Sequence, residues 1–497
     1  MPSRRRSIWT GTLTLTGAAM ISRGLGMVYR VLLARFLGAE GLGLYQMLFP
    51  FFIAVVTLSV AGTPVAISQI VADDDKDPGP WLRAAEYIIL AVSLPVIAIL
   101  LLAARPIAVQ LYHDPRLAPL FALLSPALLA IAFSAVLRGF LLGRQHMEIP
   151  SIAQVVEQMV RVLILWALLN WSANHLVSHR LGIATVLISI GEGVSLLILA
   201  RGFHRWRRRE SALGTLQASP GHIRAILKLS LPIMFSRLLG SLVGVAEAAL
   251  IPRQLHHFGL SEVSAVAFFG KLTGMALPLI LFPTALTVSL STNLIPAVAG
   301  ADARHDHHRV AQLIGQSLSA TAYLTVPVTV IMLLMGTALD DWIFHTQLPP
   351  TVFIPLALGA FFLYFDIALS GVLRGLGRTD LPLKNDLIAS AVEVAIILGL
   401  GSPATVSAAL AAGFFTSWWL NAAATERLTG IRLHWMKIWR KPAIATAPLL
   451  LAVPLWQHWV LIQHFSRAFN LASGLCLASG LYLVALRMVG FRWSRLI

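Results

Sequence analysis

Fourteen apolar stretches, each of about 20 residues or more, follow one another along the chain with short polar joints between them. They lie near residues 8–36, 42–72, 82–111, 117–142, 150–171, 181–203, 223–251, 262–299, 310–338, 350–376, 383–400, 402–424, 442–462 and 468–488. A hydrocarbon core about 30 Å thick takes about 20 helical residues to cross. In lipid a helix satisfies its own backbone N–H and C=O groups, so continuous runs of this length specify helical spans. The pattern predicts an all-α polytopic membrane protein with about 14 transmembrane helices. Composition agrees: 57% of the 497 residues are hydrophobic and 12% are charged, against about 25% charged in a soluble domain.

Charge orients the spans. With Arg4, Arg5 and Arg6 placed inside, the predicted inner loops and tails hold nineteen Lys or Arg residues, among them Lys76, Arg144, Arg205, Arg378, Lys437 and Arg492. The predicted outer side holds five: Arg105, Arg116, Arg180, Arg253 and Arg467. Basic residues accumulate on the cytoplasmic side of membrane proteins, so both termini are expected in the cytoplasm and the protein in the cytoplasmic (inner) membrane. The acidic stretch "DDDKDPG" (73–79) also falls inside, which the rule permits because it counts basic residues. The net charge of +16 is therefore read as basic loops. No polar stretch long enough for a nucleic-acid-binding domain exists, and no nucleic-acid partner is expected. "MPSRRRSIWTGTLTLTG" starts like a signal peptide but runs on without a convincing cleavage site, so it is expected to be retained as the first span.

The chain also repeats itself. "SRGLG" at 22–26 returns as "SRLLG" at 236–240, and "FSAVLRGFLLGRQHMEIP" (133–150) returns as "LSGVLRGLGRTDLP" (369–382). An even number of spans per repeat gives both halves one orientation, as in transporters that rock two bundles against each other. The expected organisation is a six-helix lobe over 1–205, a basic cytoplasmic linker over 206–222, a second six-helix lobe over 223–430, and helices 13 and 14 with a cytoplasmic tail over 431–497.

Charges inside the spans are the candidate functional groups, because each is costly in hydrocarbon unless it faces something polar. Arg23 and Arg30 are seven residues apart, which on a helix leaves them within about 20 degrees of one face. Arg35 is turned by about 120 degrees, near the outer end. Arg23, Arg30 and Arg237 are the expected substrate-binding cations, and Glu247, Lys271 and Asp366 are candidates for a cavity or a coupling ion. Glu157 and Arg161 are four apart on one helix, a spacing for a local ion pair. Arg138 and Arg374, equivalent in the repeat, are read with that pair as structural. Guanidinium forks match phosphate oxygens, so a lipid carrying phosphate or another acidic amphiphile suits such a cavity. "SVAGTPVAIS" (59–68) and "FPTALTVSLSTNLIPAVAG" (282–300) carry the Pro and Gly that bend helices.

No nucleotide loop, HExxH or GxSxG motif occurs, and the lone cysteine, Cys476, can form no internal disulfide. "HDHHR" (305–309) reads as a solvated loop rather than a metal site. The chain is expected to be no enzyme, to need no cofactor, and to draw on an ion gradient, the membrane potential or downhill flux.

Residues 24–72, "GLGMVYRVLLARFLGAEGLGLYQMLFPFFIAVVTLSVAGTPVAISQIVA", with "SGVLRGLGRTDLPLKNDLI" at 370–388, closely resemble the signatures of the sporulation-type polysaccharide-biosynthesis membrane proteins. That family, stage V sporulation protein B and its relatives, lies in the multidrug/oligosaccharidyl-lipid/polysaccharide exporter superfamily with the lipid II flippases. The resemblance implies two six-helix lobes in a V plus two extra helices. It also implies a cationic central cavity for a pyrophosphate-linked saccharide and a groove for the lipid tail. In the flippase motif Ser-Arg is followed by two more arginines; Arg23 and Arg35 match the first and third, whereas the second position holds Tyr29, with Arg30 one place later.

The expectation is a flippase that moves an undecaprenyl-pyrophosphate-linked saccharide, a peptidoglycan precursor, by alternating access among membrane lipids. Two alternatives stand beside it. One is a cation-coupled exporter of drugs or another polysaccharide, whose mark would be a buried carboxylate such as Glu247 or Asp366. The other is a non-transporting scaffold whose partners would be enzymes of cell-wall or spore-cortex synthesis.

Overall fold

The computed structural model describes residues 2–72, 77–169, 176–210, 217–346, 348–462 and 466–489. Lys76, Arg492, Arg495 and positions 211–216 of the 206–222 segment lie outside them.

Every expected span is helical. α1 (Pro2–Val60) carries the first two, bent at Gly38, where φ is 71°. A left-handed backbone there suits glycine, which has no Cβ to clash. The guanidinium of Arg180 donates to the carbonyl of Phe36 at 3.0 Å, an acceptor beside the bend. After Val60 the chain turns at Ala61 and Gly62, both at positive φ, into α2 (Thr63–Val71), which has Pro64 in its first turn. A proline lacks the N–H that would continue the preceding helix, so the helix breaks within the stretch that carries the Gly-Thr-Pro signal.

α3 (Pro78–Pro106), α4 (Ala118–Gly143), α5 (Glu148–Leu169), α6 (Val177–Glu210) and α7 (Pro220–His257) follow. α8 (Glu262–Lys271) and α9 (Leu277–Leu281) are joined by a π-turn and separated from α10 (Thr284–Asp302) at Phe282 and Pro283, so the eighth span is interrupted where its Pro-rich sequence predicts a bend. α11 (His307–Phe344), α12 (Pro350–Gly375), α13 (Asp380–Gly399), α14 (Pro403–Thr429), α15 (Trp435–Ile462) and α16 (Arg467–Met488) complete the chain. Twelve helical stretches among the described residues are long and apolar enough to cross a membrane, with Met20–Val71 taken as one and the two parts of the eighth span taken separately. α13 and α14 are not among the twelve; α13 carries Asp380, Lys384, Asp386 and Glu393. The architecture is an all-α polytopic membrane fold.

The helices divide into two compact units: residues 1–253 with 261–270, and residues 254–260 with 271–497. This division departs from the lobe boundary expected at 206–222, because most of α7 packs with the first unit. A Cβ on Gly62 would meet the Ser230 carbonyl, and one on Gly244 would touch Pro50. Packing and sequence duplication are different criteria: both copies of the Ser-Arg segment, 22–26 and 236–240, fall in the first unit, whereas the Leu-Arg-Gly copies fall one in each.

The repeated Leu-Arg-Gly explains itself in the packing. Gly139 of α4 lies directly on the backbone of Pro64 in α2, and Gly375 of α12 lies on Ile295 and Val298 of α10; an added Cβ would collide at both. Small residues let membrane helices approach closely. Both helices then end alike. His146 N–H donates to Leu141 C=O and Gln145 N–H to Leu142 C=O; Arg378 N–H donates to Leu373 C=O and Gly377 N–H to Arg374 C=O. Each is a Schellman closure around a left-handed residue, Gln145 or Gly377. The first copy differs by one extra turn, Phe140–Gly143.

Candidate functional site

Arg23 and Arg30 both project from the exposed side of α1, while Ser22, Tyr29, Leu33 and Phe36 of the same helix are buried. The one-place departure from the family motif therefore has a geometric reading. In this chain position 29 faces inward and position 30 shares the outward face with Arg23. Arg237 is exposed on α7. The side chains of these three arginines make no hydrogen bond or ion pair to another described residue.

Of the four residues read as structural, Arg138, Glu157 and Arg161 come together in the first unit, whereas Arg374 lies exposed in the second. Arg161 of α5 holds Glu157 one turn back and Glu192 of α6, each at 3.0 Å, with side chains 9–16% exposed. Room for the guanidinium comes from Gly191, where a Cβ would collide with Arg161 Nε. Arg138 of α4 donates to Ser195 of α6 at 3.4 Å. That bond ties α4 to α6. A helix pattern reveals the Glu157–Arg161 spacing but not which residue of another helix comes third.

The second unit carries a counterpart with a different balance. Asp366 of α12 is buried and accepts from Asn421 Nδ2 at 2.6 Å and from Ser417 Oγ at 3.1 Å. The same Ser417 oxygen lies 2.7 Å from Asp386 of α13. Asn385 extends the network to Asn421 at 2.8 Å, and Arg374 acts electrostatically on both carboxylates. Each repeat thus sets its Leu-Arg-Gly arginine near acids: Arg138 near Glu157 of α5, Arg374 near Asp366 of its own helix and Asp386 of α13. Asp386, Asn385, Ser417 and Asn421 are the site residues that reading the sequence missed. The unusual polarity of α13 and α14 was the available signal.

Glu247 is half-buried on α7. Lys271, at the end of α8, acts electrostatically on Asp340 of α11, a fully buried carboxylate. Among the described residues no three His, Cys, Asp or Glu side chains group so as to hold a metal ion.

Helices arranged in this way are found in solved transporters. The structure superposes on lipid II flippase MurJ in an inward closed conformation with a TM-score of 0.74 and 15% identity, over 96% of this chain and 98% of that one. An inward-facing multidrug resistance MATE family transporter matches with a TM-score of 0.65 and 15% identity, over 82% of this chain and 94% of that one. The fold is shared with both. Residues 8–299, more than half of the chain, match the polysaccharide biosynthesis protein family, and the protein belongs to that family. Stage V sporulation protein B of Bacillus subtilis is 29% identical, over 97% of this chain and 95% of its own length. Lipid II flippase MurJ of Bacillus subtilis is 24% identical, over 66% of this chain and 64% of its own.

Proposed function

We propose that the protein is a flippase carrying an undecaprenyl-pyrophosphate-linked saccharide, a peptidoglycan precursor, from the inner to the outer leaflet by alternating access, with no covalent change to the cargo. The observation that carries this reading is the pair Arg23 and Arg30, kept on one exposed face of a membrane helix at the expense of insertion energy. Forked guanidinium donors suit the phosphate oxygens of such a lipid, and Arg237 would assist them. The names of the relatives, one a lipid II flippase and one a sporulation protein, support this class of cargo. Basic loops support a cytoplasmic position for both termini, and the duplicated segments 1–205 and 223–430 would be the bodies that rock.

The acid pair of the second unit bears on energy supply. A hydroxyl has one hydrogen to donate, so Ser417 can serve either Asp366 or Asp386 but not both. The unserved contact is made good when a proton or a small cation joins the pair. Asp366 is accordingly the coupling residue we assign, with Asp386 beside it. The same feature would serve a cation-coupled exporter of small drugs, and the cargo distinguishes the two.

The test is translocation of purified lipid II in proteoliposomes, wild type beside Arg23→Ala. Movement by the wild type that is lost in an equally stable variant supports the assignment. Movement in neither, with the protein correctly inserted, overturns lipid II as cargo and turns the assay to other lipid-linked glycans and to drug export. Equal movement in both removes Arg23 from the transport path.

A further inference from the structure

Where α14 gives way to α15, residues 430–434 cross the first turns of α11 and leave an open crevice of about 220 Å³ between them. Its floor is apolar, formed by Ile314 and Leu318 of α11 with Ile431 and Leu433 of the crossing segment. Its rim carries Arg432, His434 and Lys437. Neither Arg432 nor Lys437 is paired with an acid among the described residues. Lys437, Arg440 and Lys441, at helical spacing along α15, continue the basic rim on one face.

The crossing is built rather than loose. Gly430 turns the chain at φ 68°, the Leu433 N–H donates to the Glu426 carboxylate at 2.7 Å, and the Ile431 N–H donates to Thr429 Oγ1 at 3.3 Å. Beside it Trp435 lies tilted against Trp439 and edge-on to Trp418, with ring centroids 5.2 and 5.0 Å apart. Tryptophans are enriched at the level of lipid headgroups, and Trp435 and Trp439 are half-buried against the core that includes Trp418. On the α11 side Gly315 lines the crevice, and a Cβ there would meet nothing within 4 Å. The wall is open where a mid-helix glycine costs about 1 kcal/mol relative to alanine.

Cations above an apolar floor at the membrane interface match an anionic phospholipid, phosphate outward and chain inward. The volume falls short of the roughly 300 Å³ at the lower end of sites for drug-sized ligands, which suits one headgroup and the start of a chain rather than a lipid-linked saccharide. We propose that the crevice between α11 and residues 430–438 binds a single anionic phospholipid such as phosphatidylglycerol. This proposal is independent of what the protein transports.

Native mass spectrometry of the full-length protein, with phosphatidylglycerol and phosphatidylcholine of identical chains in competition, tests it. The wild type should retain one phosphatidylglycerol in preference. Arg432→Gln with Lys437→Gln should weaken it by about 30-fold, for two cations near the surface. Arg207→Gln with Arg208→Gln, an equal loss of charge elsewhere, should leave it unchanged. Gly315→Leu fills the crevice without altering charge or breaking the helix and should abolish preferential retention. The proposal is overturned if Gly315→Leu retains the lipid, if the Arg207/Arg208 control loses as much, or if undecaprenyl pyrophosphate displaces phosphatidylglycerol at equal concentration. Melting temperatures of all variants guard against misfolding, and Arg432→Lys with Lys437→Arg should keep binding.

Discussion

The Arg161 guanidinium joins α5 to α6 through Glu192, 3.0 Å away, while also holding Glu157 of its own helix. Removing one member of such a buried set strands the charges that remain, typically at a cost of about 3–5 kcal/mol. Arg161→Leu should therefore lower the melting temperature in detergent markedly. The combination of Arg161→Leu with Glu157→Gln and Glu192→Gln should recover most of that loss, since no charge is then stranded. A single variant as stable as wild type would show that the cluster is solvated rather than buried.

The glycines of the repeated Leu-Arg-Gly should behave as a pair. Gly139→Val and Gly375→Val each drive a side chain into the backbone or side chains of a neighbouring helix, and overpacking of this kind costs about 1–3 kcal/mol. Gly26→Ala is the contrast, because nothing lies within 4 Å of its added Cβ; it should be neutral or stabilise by up to about 1 kcal/mol. Thermal unfolding of the three variants side by side checks the ranking.

Arg378 and Asp380, in the joint between α12 and α13, form a two-pronged contact with both distances 3.0 Å. These bonds hold the Asp380 carboxyl below the usual carboxylate range. A carboxyl lowered on folding adds stability above its unfolded pKa, about 4, and that contribution is lost as pH falls through the lower folded value. Both partners are exposed, so the effect is small. The melting-temperature difference between wild type and Asp380→Asn should be largest near neutral pH and close under acid conditions. A gap that widened on acidification would contradict the assignment.

Much of this architecture is legible from local order. Runs of apolar residues mark the helices, Pro64 and Pro283 mark two of the breaks, and the seven-residue spacing of Arg23 and Arg30 puts them on one face. What escapes local reading depends on partners distant in sequence. Glu192 completes the Arg161 cluster from another helix, and Ser417 meets Asp366 and Asp386 only when α12, α13 and α14 pack together. The membership of α7 is similarly hidden: its sequence begins the second repeat, yet the glycine contacts at Gly62 and Gly244 settle most of it into the first unit. The one-place shift from the family motif is the subtlest case. Spacing shows that Arg30 lies about 100 degrees from position 29, but burial of Tyr29 is needed to show which of the two faces outward.

That shift leads to the sharpest prediction for function. If the outward face of α1 meets the cargo, Arg30→Ala should reduce lipid II translocation as Arg23→Ala does, with the melting temperature unchanged because neither side chain makes a bond to another described residue. Tyr29→Ala should behave in the opposite way. Tyr29 is 9% exposed, so truncating it leaves a cavity and lowers stability by about 3–5 kcal/mol, as for large aromatic side chains in cores. Tyr29→Phe removes only the hydroxyl and should support translocation close to wild type. The decisive variant exchanges the pair, Tyr29→Arg with Arg30→Tyr, restoring the family's order of residues. If the helix face governs, this exchange turns the cation inward, the protein loses stability and translocation falls. If residue order alone mattered, the exchange would keep or raise transport, and the geometric reading of α1 would fail.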